Sequence, residues 1–105
     1  MIDVMQEVRT IQASQIAAAS TPVESAMLLA GQIEQALIES KRVEVRLHGL
    51  RGLSSSYFNA LLERLVNTVG RDDTRNRVRF LCETEAQRQT WERSALWLDP
   101  PNHRP

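Results

Sequence analysis

The sequence predicts a small α/β domain whose sheet is mixed or mostly parallel, with its helices packed on one face. Apolar and polar residues alternate over 43–48, which is the period of a strand with one buried face. After a short turn, the apolar residues recur with helical spacing over 58–69. Strand–helix–strand units of this kind require right-handed parallel crossovers. Strands covered by helices on both faces are apolar on both sides. The polar side of this strand and of a second one, at 77–82, therefore favours helices on one face only.

Composition and charge exclude several classes of function. The chain has 105 residues, the size of one domain, and its 13 basic residues equal its 13 acidic ones. This balance argues against a broadly electropositive protein that binds nucleic acid. The sequence lacks an apolar run of the roughly 18–20 residues that cross a bilayer, and its N-terminus lacks the layout of a secretion signal. The single cysteine, Cys82, cannot form an internal disulfide or a typical metal site. We therefore expect a cytoplasmic protein without metal or cofactor, without a nucleic-acid partner and without membrane insertion.

Before the central strand, the pattern predicts one strand and one helix. The inward-facing residues of the predicted first strand are Ile2, Val4 and Val8. Residues 11–20 stay open between a short helix, a loop and a second edge strand. Thr21 then offers an N-cap hydroxyl, Pro22 suits the first helical position and Glu24 completes a capping box. These signals predict a helix over Pro22–Glu39. Its apolar stripe comprises Val23, Ala26, Met27, Ala30, Ile33 and Leu37.

After the second helix, the pattern predicts a loop and another strand. Gly70 suits the C-cap directly after Val69. The polar stretch Arg71–Asn76 is predicted to be a loop, and Arg77–Cys82 a strand. The residues expected on one face of this strand are Val78, Phe80 and Cys82.

The last predicted element is a helix that begins with a second capping box, at Thr84. It is expected to end near Leu96 or Leu98. Its apolar stripe comprises Trp91, Ala95 and Leu98. Residues 1–98 are interpreted as a single domain, and the proline-rich residues 99–105 as a flexible C-terminal tail.

The turn between the central strand and the second helix is the best candidate for a functional site. Gly49 and Gly52 give its backbone conformational freedom, and three hydroxyls at Ser54–Ser56 stand at the helix start. Two interpretations stay open. The serines form either a docking and regulatory site or only a helix cap and turn, for which serine is also suited.

Tyr57 has two interpretations as well. With Asn59 and Glu63 it is expected to face outwards, where an exposed ring beside the serines would serve as an interface anchor. The alternative is a partly buried ring that covers the edge of the sheet. Phe58, which projects about 100° away on the helix, belongs to the apolar stripe and is expected in the core.

Residues 43–70 also carry a resemblance. They read VEVRLHGLRGLSSSYFNALLERLVNTVG, a strand that ends in Leu47-His48-Gly49, a turn, Ser55-Ser56-Tyr57 and a helix that ends in glycine. This pattern resembles the STAS-like domains of bacteria, a family described as being of unknown function. More distantly, it is similar to the anti-sigma-factor antagonists, whose corresponding loop reads Asp-Ser-Ser-Gly.

In those antagonists the first serine of the pair is phosphorylated by a histidine-kinase-like ATPase, and the following helix docks on that partner. The resemblance implies a non-enzymatic, cytoplasmic signalling module with Ser55 and Ser56 as candidate phosphorylation sites. Its implied partner is such an ATPase or an anti-sigma-type regulator. The docking residues of this interpretation are Ser54, Tyr57, Asn59, Glu63 and Arg64. The sequence departs from the family where Ser54 replaces the aspartate and Tyr57 the glycine. The alternative function is a constitutive, unphosphorylated STAS-type subunit of a larger assembly.

The remaining polar residues have simpler interpretations. His48 lacks ligands or a catalytic partner at suitable spacing and is expected on the polar strand face. Arg77 and Arg79 are expected to pair with Glu44 across strands on the open sheet face, which is also available for a homo-oligomer. Cys82 is expected to be a buried core thiol.

Overall fold

A computed structural model describes residues 6–16, 21–50 and 53–98. The strands are β1 (Gln6–Gln12), β2 (Ser40–Arg46) and β3 (Val78–Leu81). The α-helices are α1 (Pro22–Glu39), α2 (Ser55–Val69), α3 (Arg71–Arg77) and α4 (Glu85–Ala95). Single turns of 3₁₀-helix follow β1 at Ala13–Gln15 and α4 at Leu96–Leu98.

The described strands form a parallel sheet in the order β1-β2-β3. Two right-handed crossovers that step in the same direction place their helices on the same face of a sheet. Accordingly, α1 and α2 pack against each other, and α4 packs against α2. The prediction of a small α/β domain with helices on one face is confirmed.

The core lies between the helices and one face of β2. Val43, Val45 and Leu47 are completely buried there, as the alternation over 43–48 predicts. The fully buried residues of α2 opposite them are Phe58, Leu61, Leu62 and Leu65. Buried alanines of α1, namely Ala26, Ala30 and Ala36, leave room for this helix to approach its neighbours closely.

The first helix begins and ends as predicted, because the N-cap signals are local. The Thr21 hydroxyl accepts a hydrogen bond from the Glu24 N–H at 3.1 Å. The predicted burial of Val23 is wrong, since its side chain is 48% exposed. The buried face of α1 starts only at Ala26, one turn later along the helix.

The first strand is present, but its predicted inward face is wrong at Val8. The register pairs Arg9 with Val43 and Ile11 with Val45, so odd-numbered residues of β1 lie on the helix side. Val8 pairs with Arg42 on the other side and is 44% exposed. Strand pairing decides which face is buried, and a shift of one residue inverts it. Ile2 and Val4 lie outside the described residues.

Residues 71–76, predicted to be a loop, are helical. Gly70 has a φ of 98°, which closes α2 and starts α3. The Thr74 hydroxyl and amide both donate to the Gly70 carbonyl, at 2.7 and 3.0 Å. Acidic residues fill the first turn and basic residues the last, and two ion pairs join Asp72 to Arg75 and Asp73 to Arg77. Both the dipole and these pairs stabilise a helix that has no apolar stripe.

Arg77 ends α3 and holds the end of α1. Its guanidinium donates to the carbonyls of Leu37, Ser40 and Lys41 at 2.8 Å each. This group therefore satisfies carbonyls that the helix C-terminus leaves without partners. The predicted pairing of Arg77 with Glu44 is wrong for this reason. Arg79 is the register partner of Glu44, but their side chains form no ion pair.

The predicted start of the last helix is confirmed. The Thr84 hydroxyl accepts a hydrogen bond from the Gln87 N–H at 3.0 Å. Trp91 packs on Phe80 and Phe58, with ring centroids 4.3 and 5.6 Å away. Leu98, at 6% exposure, is buried as predicted. The predicted tail at 99–105 lies outside the described residues, as do residues 17–20 of the stretch that the sequence left open.

Candidate functional site at the serine turn

The serine turn, defined here as residues 47–56 that follow β2 and start α2, lies at the carboxyl edge of the sheet. In open parallel sheets, ligands bind beyond the carboxyl ends of the strands, at points where the strand order reverses. The end of β1 and the segment after β3 reach the same edge, because Gln12 and Glu83 both contact the turn. The serines therefore lie at the carboxyl edge of the sheet, although the described strand order has no such reversal. Gly52 lies outside the described residues.

Polar side chains from three other parts of the chain fasten the turn. The Gln12 amide donates to the His48 carbonyl at 2.8 Å, and the Gly49 N–H donates to Glu83 Oε1 at 2.9 Å. The Gln87 amide donates to the carbonyls of Leu47 and Leu50 at 3.3 and 3.2 Å. Such long-range contacts leave no periodic signal in a sequence, and the sequence analysis did not find them. They hold residues 47–50 of the turn in one position.

Gly49 is required by the shape of this turn. Its φ of 88° is a conformation that L side chains rarely adopt, and an added Cβ would lie 3.4 Å from the Ser14 side chain.

The three serines have different environments. The Ser54 hydroxyl accepts a hydrogen bond from the Tyr57 N–H at 3.3 Å, so the interpretation of Ser54 as N-cap is confirmed. Ser55 and Ser56 occupy the first two helical positions, and both are exposed. Their hydroxyls have no hydrogen-bond partner in the part of the chain that the structure describes. Both are available to an incoming molecule.

The first turn of α2 is unusual among the described α-helices in its charge. The first turns of the other three carry acids, Glu24 in α1, Asp72 and Asp73 in α3 and Glu85 in α4, whereas that of α2 carries none. Acids in this position compensate the positive end of the helix dipole. The start of α2 therefore keeps an uncompensated positive end beside two exposed hydroxyls.

Tyr57 does not face outwards. Its residue is only 7% exposed, and its ring packs edge-on against Phe58 with centroids 5.5 Å apart. Burial raises the pKa of the phenol to about 12. The expectation of an exposed anchor is wrong, and the alternative of a buried ring is correct. Because α2 packs against both α1 and α4, its buried arc is wider than one apolar stripe.

Arg64 is also occupied within the domain. Its Nε and Nη2 atoms donate to the two carboxylate oxygens of Glu34 at 2.9 and 3.2 Å. The Thr68 hydroxyl donates to the same carboxylate at 2.8 Å. This bidentate pair joins α2 to α1, so the guanidinium fork that was assigned to a partner already has an acceptor.

Four of the predicted site residues remain exposed and lie together. They are Ser55, Ser56, Asn59 and Glu63, here called the serine stripe. At about 100° per residue, these positions fall within roughly a quarter to a third of the helix circumference. The stripe presents hydroxyls, an amide and one carboxylate, and no large apolar side chain.

His48 gives no sign of a catalytic role in the described residues. Its carbonyl accepts from Gln12, and its Nδ1 is buried without a hydrogen-bond partner. No hydrogen bond joins it to a described serine, and no group of three potential metal ligands was found among the residues that the structure covers. The Cys82 thiol is half-buried against the core, and burial raises its pKa.

Comparison with known proteins gives no relative. No protein-family model, curated protein or solved structure compared with the chain matches it. The STAS-like resemblance therefore stays a prediction. Within the described ranges, none of the helices combines the length and apolar composition needed to cross a bilayer.

Proposed function

We propose that this protein is a non-enzymatic signalling module that docks a protein partner through the serine stripe. The observation that supports this most directly is the pair of exposed hydroxyls at Ser55 and Ser56, at the start of a helix that packs against α1 and α4. A rigid, pre-positioned surface loses little conformational entropy on binding. By the STAS-like resemblance, the partner is a histidine-kinase-like ATPase or an anti-sigma-type regulator in the cytoplasm.

Phosphorylation of Ser55 would act as a switch on this surface. In that reaction the Ser55 hydroxyl takes the γ-phosphoryl group of ATP on the partner kinase, and ADP and a proton leave. The product carries about −1.5 to −2 charges at pH 7. Free N–H groups and the uncompensated dipole at the start of α2 would stabilise this charge, so the fold should tolerate it. A docked partner would instead have to remove water from the phosphate, which would weaken binding.

The character of the serine stripe favours a reversible complex over a permanent one. Obligate interfaces are markedly apolar, resembling a domain core cut in half. The stripe is polar, because the aromatic residue next to it is buried.

A constitutive STAS-type subunit is the second candidate, and a different surface favours it. Leu28 and Ile38 of α1 are 45% and 69% exposed. A subunit of a larger assembly would cover these side chains and would purify with its partner in fixed stoichiometry. A switch should instead also exist as a free, exchangeable chain.

The test is binding of Ser55→Asp to a histidine-kinase-like ATPase or anti-sigma-type regulator from the same cell. A charge buried without a partner costs about 2 kcal/mol or more, which is about 30-fold in Kd. Ser55→Ala removes the hydroxyl without adding charge, and Asn67→Asp adds the same charge in the last turn of α2, outside the stripe. Ser55→Ala should weaken binding much less than Ser55→Asp, and Asn67→Asp should bind like the wild type. The melting temperature of Ser55→Asp should stay nearly unchanged. Undiminished binding by Ser55→Asp would show that the serine stripe is not the interface.

A further inference from the structure

The sheet face opposite the helices carries a cluster of arginines. Arg42, Glu44 and Arg46 alternate along β2, and Arg79 of β3 is the register partner of Glu44. These four residues are called the arginine face. No described helix packs on it, and the neighbouring Val8 of β1 is 44% exposed on the same side.

The arginines of this face differ from most other cationic side chains of the domain in their lack of ion pairs with described residues. Among the described residues, the cations held in ion pairs are Arg9, Lys41, Arg64, Arg75, Arg77 and Arg88. Arg42, Arg46 and Arg79 are exposed and form none with described residues. Three arginines therefore share this face with one glutamate, on a chain that is neutral as a whole.

A shallow cleft of about 400 Å³ opens on this face and gives it a concave part. Arg42, Glu44 and Arg79 contribute to its wall, together with Val8, the Phe80–Trp91 pair and residues 75–77 at the end of α3. Guanidinium forks over apolar walls suit carboxylates, which they bind with two parallel hydrogen bonds.

We infer that the arginine face docks an acidic segment of a partner protein, on a surface separate from the serine stripe. Arg42 and Arg46 flank Glu44 at alternate positions, each step about 7 Å along the strand. An extended segment with acids four positions apart, and a hydrogen-bond donor midway between them, matches this spacing. This inference rests on the sheet face alone and does not require the serine stripe to bind anything.

Charge makes a second copy of the chain, a nucleic acid or a membrane a less favourable partner for this face than an acidic segment. A second copy of the chain would bring arginines against arginines, and like charges across an interface are unfavourable. A nucleic acid or an anionic membrane gains affinity from many phosphate contacts over a broad positive field. Here the positive patch is small, and Glu44 at its centre repels a continuous polyanion. A protein segment can place its carboxylates on the arginines and offer a donor to Glu44.

The test uses a short synthetic peptide in which glutamates stand four positions apart with threonines between them, titrated into the full chain and followed by amide chemical shifts in NMR spectra. We expect shifts confined to β2, β3 and the adjacent part of β1. The double variant Arg42→Gln/Arg79→Gln should weaken binding about tenfold, and added salt should weaken it further. Glu44→Gln should strengthen binding, since it removes the repelling carboxylate.

The controls test whether binding depends on the arginine face itself or on any exposed positive charge. Arg93→Gln removes an exposed arginine of α4 that has no described ion pair, so it should leave binding unchanged. A peptide with lysines in place of the glutamates should not bind. The inference is overturned if the shifts map to the helices, if Arg93→Gln weakens binding as much as the double variant, or if the glutamate peptide does not bind. It is equally overturned if an oligonucleotide, phosphatidylserine vesicles or self-association occupies the face in preference to the acidic peptide.

Discussion

Alkaline titration of Tyr57 tests the packing directly behind the serine stripe. The chain has one tyrosine, so phenolate absorbance reports on this residue alone. Burial raises its pKa from the ordinary value of 10.0 to about 12. The folded protein should therefore keep a protonated phenol over a pH range in which the unfolded chain has already lost the proton.

The difference in pKa has a sign and a magnitude for stability. Between pH 10 and about 12 the unfolded state binds fewer protons than the folded state, so the free energy of unfolding falls as the pH rises. The contribution is complete below pH 10 and is lost as the pH rises through the folded-state pKa. Two pKa units correspond to about 2–3 kcal/mol, a large part of the stability of a small domain.

The assay combines phenolate absorbance with urea unfolding at a series of alkaline pH values. Tyr57→Phe keeps the ring and removes the titrating hydroxyl, so it should lose less stability than the wild type over this range. The difference between the two proteins isolates Tyr57 from every other alkaline titration. If the folded wild type forms phenolate near pH 10, or if both proteins lose stability in parallel, the ring is exposed and belongs to the docking surface.

Three stability predictions follow from single side chains, each checked by urea unfolding followed by circular dichroism. Arg77→Met should lower the free energy of unfolding by about 2–4 kcal/mol because it leaves part-buried carbonyls of the α1 end without donors. Arg88→Met, which removes an exposed pair with Glu85, should have almost no effect, and equal effects of the two substitutions would contradict the role of Arg77. Ser54→Ala should cost about 1 kcal/mol as the loss of an N-cap, and no loss would mean that this hydroxyl does not cap α2. Gly70→Ala should lower the free energy of unfolding by about 1 kcal/mol or more, because alanine rarely adopts the φ of 98°. Unchanged stability would mean that α2 and α3 are not joined by this conformation.

The helix starts were predictable because their signals are local. Thr21, Ser54 and Thr84 each accept a hydrogen bond from an N–H three residues later, and the residue types around them specify this geometry. The central strand was equally predictable, since alternation with a fully buried row is unambiguous.

The errors arose where packing partners decide the outcome. The face of β1 depends on its register with β2, which one strand does not encode, and so Val8 was placed on the wrong side. The helix α3 is stabilised by charge pairs and by Gly70 rather than by an apolar stripe, so periodicity did not reveal it.

The candidate site shows the same division. The position of Ser55 and Ser56 at a helix start followed from the sequence. The burial of Tyr57 depends on the elements that pack against α2, and the pairing of Arg64 depends on Glu34, thirty residues away. Neither contact leaves a local signal in the sequence. The structure therefore leaves fewer exposed docking residues than the sequence predicted.

The most direct test of the proposed switch is phosphopeptide mapping of the protein from its native cell, with the free and the partner-bound pools separated first. The account predicts phosphate on Ser55 in the free pool and an unmodified Ser55 in the bound pool. Equal occupancy of Ser55 in both pools, or an unmodified chain found only in a complex of fixed stoichiometry, would contradict it.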